Sequence, residues 1–140
     1  MVNARSKGRR GEREVIDVIK SLLGIQLEVN YSQTFGGGHD LLGLDGFAIE
    51  VKRRKQITQA DLKNFWEQTT RQATKINLLP CLWFRADRSE WRVMIADLYA
   101  HKKGLFEIED FNIASNISTE LFAAIMREEF NLGTLNTSTQ

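Results

Sequence analysis

Residues 39–52 read HDLLGLDGFAIEVK, two apolar runs with a turn between them. The turn is Asp45-Gly46, a dipeptide that strongly favours a short connection between antiparallel strands. Because side chains alternate across a strand, the apolar residues at odd positions of the second run share one face, while Glu50 and Lys52 share the other. The second strand therefore presents an acid and a base on one face.

Asp40 stands at the start of the first strand, where a short hairpin brings its carboxylate beside Glu50 at the end of the sheet. Two adjacent carboxylates repel each other unless a cation joins them. Oxygen ligands suit Mg²⁺ or Mn²⁺, which also accept a phosphate oxygen of a substrate. Such a site is typical of phosphodiester hydrolysis, in which Lys52 would orient or help to deprotonate the attacking water.

Regular periodicity continues on both sides of this hairpin. Apolar residues at helical spacing predict a helix over residues 7–23, and the capping pattern Thr58–Asp61 begins a second helix that runs to about Lys75. Further strands are predicted at 27–30, 81–84 and 91–95, and further helices near 97–102 and 118–130. The predicted order is αβββαββα, an α/β fold with a mixed central sheet flanked by helices.

The first helix carries a glutamate on its apolar stripe. At about 100° per residue, Glu12 falls within that stripe, whereas Glu14 falls on roughly the opposite side and should meet water. A glutamate that faces the core needs a reason, so Glu12 is the third acidic candidate. The alternative interpretation is a first-turn glutamate that the helix dipole favours.

Length and composition restrict the classes of protein. A chain of 140 residues with 42% apolar residues suits one domain, expected over residues 1–133, with a polar tail at 134–140. One cysteine and two histidines exclude an internal disulfide and a cysteine- or histidine-built metal site.

No apolar run reaches the roughly 18 residues that span a bilayer, so a cytoplasmic protein with no membrane partner is expected. Four residues are assigned to the core: Trp66, Trp83, Trp91 and the inert Cys81.

Charge is uneven along the chain although the net charge is only +1. Residues 1–103 hold 18 Lys and Arg against 12 Asp and Glu, and residues 104–140 hold 1 against 6. Basic clusters can follow a phosphate backbone, but each one alone is more often a solvated face. Arg53 is expected in solvent, pointing away from Lys52. The candidate DNA contacts are Lys7, Arg9, Arg10, Arg13, Arg54 and Lys55, with His39 near a phosphate.

These motifs resemble a known family. Residues 7–14, KGRRGERE, together with Asp40 and the Glu50-Val51-Lys52 motif, resemble the PD-(D/E)xK nuclease superfamily over roughly residues 5–95. The likeness is greatest to the archaeal-type Holliday junction resolvases and their phage-encoded relatives. One departure is His39, which stands where the family name places proline, at a position that is not a ligand.

The resemblance implies a restriction-endonuclease-like core and a metal-dependent site. Glu12, Asp40 and Glu50 would surround Mg²⁺, which Mn²⁺ can replace, and Val51 is counted with this metal-binding set. Lys52 completes the catalytic group. Several relatives add a polar residue, often glutamine, on the helix after the Glu-x-Lys strand. Gln68 is the candidate for this role, and Gln72 competes with it.

The function implied is a Mg²⁺-dependent DNA endonuclease, selective for branched DNA. Symmetric cleavage of a four-way junction requires two sites about a two-fold axis, so a homodimer is expected. The apolar segment 121–130 is nevertheless expected to pack on its own sheet. The alternatives are a catalytically silent DNA-binding module and a nicking or restriction-like nuclease. The location would be the host cytoplasm if the protein is phage-encoded.

Overall fold

A computed structural model describes residues 4–32 and 38–135, with side chains described from residue 8 onward. Residues 33–37, residues 136–140 of the predicted tail and the Lys7 side chain lie outside this part. The helices and strands are α1 (Ala4–Leu23), β1 (Glu28–Val29), β2 (Leu41–Leu42), β3 (Phe47–Arg54), α2 (Gln59–Lys75), β4 (Leu79–Ala86), β5 (Arg92–Ala96), α3 (Leu98–Lys103), β6 (Ala114–Ser118) and α4 (Thr119–Glu129).

The strands form one sheet in the order β1-β2-β3-β4-β5-β6. The central strands β3 and β4 are parallel and are joined through α2, whereas all other neighbours are antiparallel. This mixed sheet with flanking helices confirms the predicted α/β class. The predicted order was wrong at one point, because β6 intervenes between α3 and α4. Residues 114–118, ASNIS, lie half-exposed at the sheet edge and contain no apolar run that would reveal a strand.

Helices cover both faces of the sheet, so the central strand β3 is buried on both sides. On one face Val15 and Ile19 of α1 pack with Ile49, and Phe122 of α4 meets Trp83 at 5.3 Å between ring centroids. The C-terminal helix therefore packs on its own sheet, as predicted. On the other face Trp66 of α2 packs with strands β4 and β5. The core assignment of the three tryptophans and of Cys81 is confirmed.

Two local predictions are also confirmed. The Phe47 N–H donates to the Leu44 carbonyl at 3.1 Å, and Gly46 has φ +85°, a value that favours glycine. At the start of α2, Thr58 and Asp61 form a reciprocal capping box. These two features fix the ends of β3 and α2, the elements between which the candidate site lies. In the described part of the chain, no helix has both the length and the apolar character that crossing a membrane requires.

Candidate active site

The β2–β3 hairpin brings Asp40 to Glu50. Leu41 pairs with Ile49 in antiparallel register, so the residue before Leu41 stands opposite the residue after Ile49. The Asp40 N–H donates to the Ile49 carbonyl at 2.8 Å, and Asp40 Oδ2 accepts a hydrogen bond from the Val51 N–H at 2.7 Å. The backbone of β3 therefore holds the Asp40 carboxylate in place.

Glu50 is the acidic residue most withdrawn from water at this site, with only 4% of its surface exposed. Burial and, after it, the charge of Asp40 raise the pKa of Glu50 to about 8, although Lys52 acts in the opposite direction. Two carboxyl groups this close repel each other when both are charged, so the raised pKa favours retention of a proton on Glu50 when no cation is bound.

Lys52 lies on the same side of β3 as Glu50, as the alternation predicts. Its Nζ is 3.5 Å from Glu50 Oε1 and 5.3 Å from the centroid of the Phe65 ring of α2. Only 12% of the Lys52 side chain is exposed. A carboxylate and an aromatic face thus hold the ammonium group at the edge of the acidic pair.

The glutamine that reaches the acidic pair is Gln72. With its side-chain amide oriented to satisfy both neighbours, Gln72 donates to Glu50 Oε2 at 2.8 Å and to the Gly38 carbonyl at 3.1 Å. Gln68 lies one turn earlier on α2 and is half-buried. The sequence could not rank the two glutamines because they share one side of the helix. The choice depends on where α2 crosses β3.

Glu12 of α1 interacts with Asp40 electrostatically. Burial and, after it, the charge of Asp40 raise the pKa of Glu12 to about 6, although Arg9 acts in the opposite direction. Among the described residues, no three Asp, Glu, His or Cys side chains converge closely enough to bind a metal ion together. The donor set nevertheless fits a hard divalent cation, because the paired oxygen ligands carry charge that burial disfavours. Asp40 and Glu50 are thus the core of a possible metal site.

The side chains predicted to contact DNA differ in their exposure to solvent. Arg9, Arg10 and Arg13 are exposed on α1, and Lys55 is exposed after β3. Arg54 is half-buried, with its guanidinium carbon 5.5 Å from the Phe65 ring centroid.

His39 is half-buried, and burial lowers its pKa although Asp40 opposes this shift. Its Nδ1 is buried and has no hydrogen-bond partner in the described structure. The imidazole is therefore expected to be neutral at pH 7.

The prediction of solvent exposure was wrong for Arg53, and for Glu14, whose side chain is 31% exposed, it missed the basic partners. Glu14 Oε2 accepts hydrogen bonds from Arg85 Nη1 at 3.2 Å and from Trp91 Nε1 at 3.1 Å, and it lies 3.9 Å from Arg53 Nε. Arg53, whose side chain is 13% exposed, also forms an ion pair with Asp87. The helical-wheel argument placed Glu14 in water because it assumes that only the apolar stripe of α1 contacts the rest of the protein. In the structure the flank of α1 meets polar side chains at the ends of β3, β4 and β5.

This chain is similar to a family of phage proteins, to one protein of a phage and to one archaeal protein of known structure. Residues 3–132 match the family described as "Phage putative PDDEXK endonuclease". Protein D14 of Escherichia phage T5 is 29% identical over 114 residues, which cover 67% of this chain and 71% of that protein. A solved structure of Archaeoglobus fulgidus Hjc, a Holliday junction resolvase from an archaeal hyperthermophile, aligns with a TM-score of 0.45 and 23% identity. That alignment covers 63% of this chain and 71% of the archaeal one.

Proposed function

We propose that this chain, which belongs to the phage PDDEXK endonuclease family, hydrolyses phosphodiester bonds in DNA with Mg²⁺ or Mn²⁺ and prefers branched DNA. Family membership confirms the resemblance seen in the sequence and makes the protein a nuclease. The observation that carries the metal-dependent mechanism is the pairing of half-buried Asp40 with buried Glu50 beside Lys52. The chain offers a compact acidic site with one adjacent cationic side chain.

Asp40, Glu50 and Val51 would hold the divalent cation, with Glu12 close enough to add negative charge. When bound, the cation supplies positive charge that neutralises a phosphodiester and makes water more acidic. The protein contributes the ionised carboxylate oxygens of Asp40 and Glu50. The Val51 N–H keeps Asp40 oriented, and Glu50 must release its proton for both carboxylates to be charged. Cation binding should therefore release protons and strengthen as the pH rises.

Lys52 is placed to act on the attacking water or on a phosphate oxygen. Its ammonium group has three donors, of which Glu50 can accept one, since their separation is 3.5 Å. Gln72 occupies the other oxygen of Glu50 and so fixes the orientation of that carboxyl group. We infer that Lys52 is the catalytic base or orienting group. We also infer that Gln72 is a positioning residue and fills the role for which Gln68 was the candidate.

The exposed basic side chains support a DNA substrate. Arg9, Arg10 and Arg13 project from the same helix as Glu12, and Arg54 and Lys55 follow Lys52 on the chain. Arginine and lysine at such positions neutralise backbone phosphates without reading sequence. His39 and Lys7 complete the proposed contact set. The proposed preference for branched DNA rests on the sequence resemblance, and paired cleavage of a junction would require a homodimer.

The deciding experiment compares three labelled DNA forms: a four-way junction, linear duplex and single strand. Each is incubated with Mg²⁺, with Mn²⁺ and with chelator, using wild type, Lys52→Ala and Lys63→Ala. Lys63 is the matched control because it is an exposed lysine on α2 outside the site. We expect paired nicks on the junction alone, only with metal, abolished in Lys52→Ala and unchanged in Lys63→Ala.

Other outcomes would contradict separate parts of the proposal. Cleavage of all three forms would refute selectivity for branched DNA while leaving the nuclease intact. A wild-type protein that binds the junction but cuts nothing with either metal would instead be a DNA-binding module. Sedimentation that shows only monomer with the junction bound would refute paired cleavage by a homodimer.

A further inference from the structure

A cavity of about 390 Å³ opens beside the acidic pair. Gln72 and Gly38 belong to its wall, and the same Gln72 amide joins Gly38 to Glu50. Any group in this cavity would therefore lie next to the catalytic carboxylates. The lining residues are Asn30, Gly38, His39, Arg71, Gln72, Lys75 and Ile76.

The polar groups of the cavity suit an anion. Arg71 and Lys75 are exposed one turn apart on α2, where two like charges repel each other. Among the described side chains, neither has a carboxylate within ion-pair distance, and none of the residues lining the cavity is acidic. His39 also lines the cavity, and its buried Nδ1 has no hydrogen-bond partner in the described structure.

The part of the cavity lining formed by Asn30 and His39 is held in place by hydrogen bonds. Asn30 Nδ2 donates to the His39 carbonyl at 2.9 Å, and Asn30 Oδ1 accepts from Ser32 Oγ at 2.7 Å. The Asn30 N–H also donates to the Asp40 carbonyl at 2.8 Å. The cavity wall is thus continuous with the hairpin that positions Asp40, so a ligand in the cavity has a fixed relation to the acidic site.

We propose that this cavity binds a backbone phosphate of the DNA strand adjacent to the phosphate that is cleaved. This proposal rests on the proposed nuclease function and extends it with Arg71 and Lys75, two contacts that lie outside the basic cluster of α1. Arginine can hold a phosphate through paired charge-assisted hydrogen bonds, and lysine adds a point charge. The volume lies within the range of pockets that enclose a small ligand, so a nucleotide unit has room.

The test uses the double variant Arg71→Gln/Lys75→Gln and the control Lys20→Gln/Lys63→Gln. The control removes the same charge from two exposed lysines that do not line the cavity. A 5′-phosphorylated thymidine dinucleotide is titrated into wild type and both variants in chelator, followed by NMR. We expect wild-type shifts at Gly38 and Gln72, about tenfold weaker binding in the cavity variant, and a change below twofold in the control.

Junction binding at several salt concentrations gives a second readout. Loss of a phosphate contact in the cavity variant should reduce the slope of log affinity against log salt by about 1. Equal weakening by both double variants, or dinucleotide shifts that avoid the cavity, would overturn the proposal even if the enzyme cuts DNA. Cavity binding in a protein that cuts no DNA would refute the nuclease proposal and leave the anion site standing. Matching thermal melts of the two variants would show that folding is not the cause.

Discussion

Gly11 lies where α1 packs tightly against β3. A Cβ added at Gly11 would lie 2.9 Å from Arg53 Cβ, 3.4 Å from Val51 Cγ1 and 3.5 Å from the Trp91 ring. Gly8, one turn earlier on α1, is a matched control, because a Cβ there would meet none of the described atoms within 4 Å. The pair Gly11→Ala and Gly8→Ala therefore separates the effect of helix propensity from that of packing.

The expected difference follows from two opposing effects. Replacing glycine with alanine in a helix interior raises the free energy of unfolding by up to about 1 kcal/mol. At Gly8 this gain is unopposed, so Gly8→Ala should stabilise by about 0.5–1 kcal/mol. At Gly11 the nearest atom is the Cβ of a strand residue, which cannot rotate away, and overpacking costs about 1–3 kcal/mol. We expect Gly11→Ala to be less stable than Gly8→Ala by about 1–3 kcal/mol.

Urea unfolding followed by tryptophan fluorescence at pH 7 in chelator measures this difference directly. A displaced α1 should also move Glu12, which follows Gly11, so junction cleavage should fall in Gly11→Ala and remain unchanged in Gly8→Ala. The reasoning is refuted if Gly11→Ala is as stable as Gly8→Ala, because the close contact between α1 and β3 would then carry no energetic cost.

Three further predictions use titration and cation–π contacts. Burial raises the pKa of Cys81 to about 12, so its folded form keeps a proton that the unfolded form loses above pH 9. Wild type should therefore lose up to about 1.4 kcal/mol per pH unit relative to Cys81→Ala between pH 9 and 11, measured by urea unfolding. The raised pKa of Glu50 likewise means that stability in chelator should fall as pH rises from about 4.5 to 8, and Glu50→Gln should reduce this fall, most clearly above the pKa of Glu12 at about 6. Phe65→Leu should slow single-turnover cleavage about twofold to fivefold because the ring holds Lys52, and an unchanged rate would refute this role.

Much of the fold could be predicted because local patterns encode it. The Asp45-Gly46 turn, the Thr58–Asp61 capping box and the apolar periods of the helices all act between residues close in the sequence. β6 escaped prediction because an edge strand needs no apolar run, and its partner β5 supplies the pairing.

The candidate site, like the fold, could be predicted from the sequence only in part. Sequence alone determined which side chains meet at the candidate site, because the alternation of β3 places Glu50 and Lys52 on one face and the hairpin returns Asp40 to them. Only the tertiary structure decided that Gln72 is the glutamine that contacts Glu50, since that depends on how α2 crosses the sheet. It also decided that Glu14, which keeps part of its side chain in water, pairs with arginine. Such contacts join residues far apart in the chain, and no local period records where two packed elements cross.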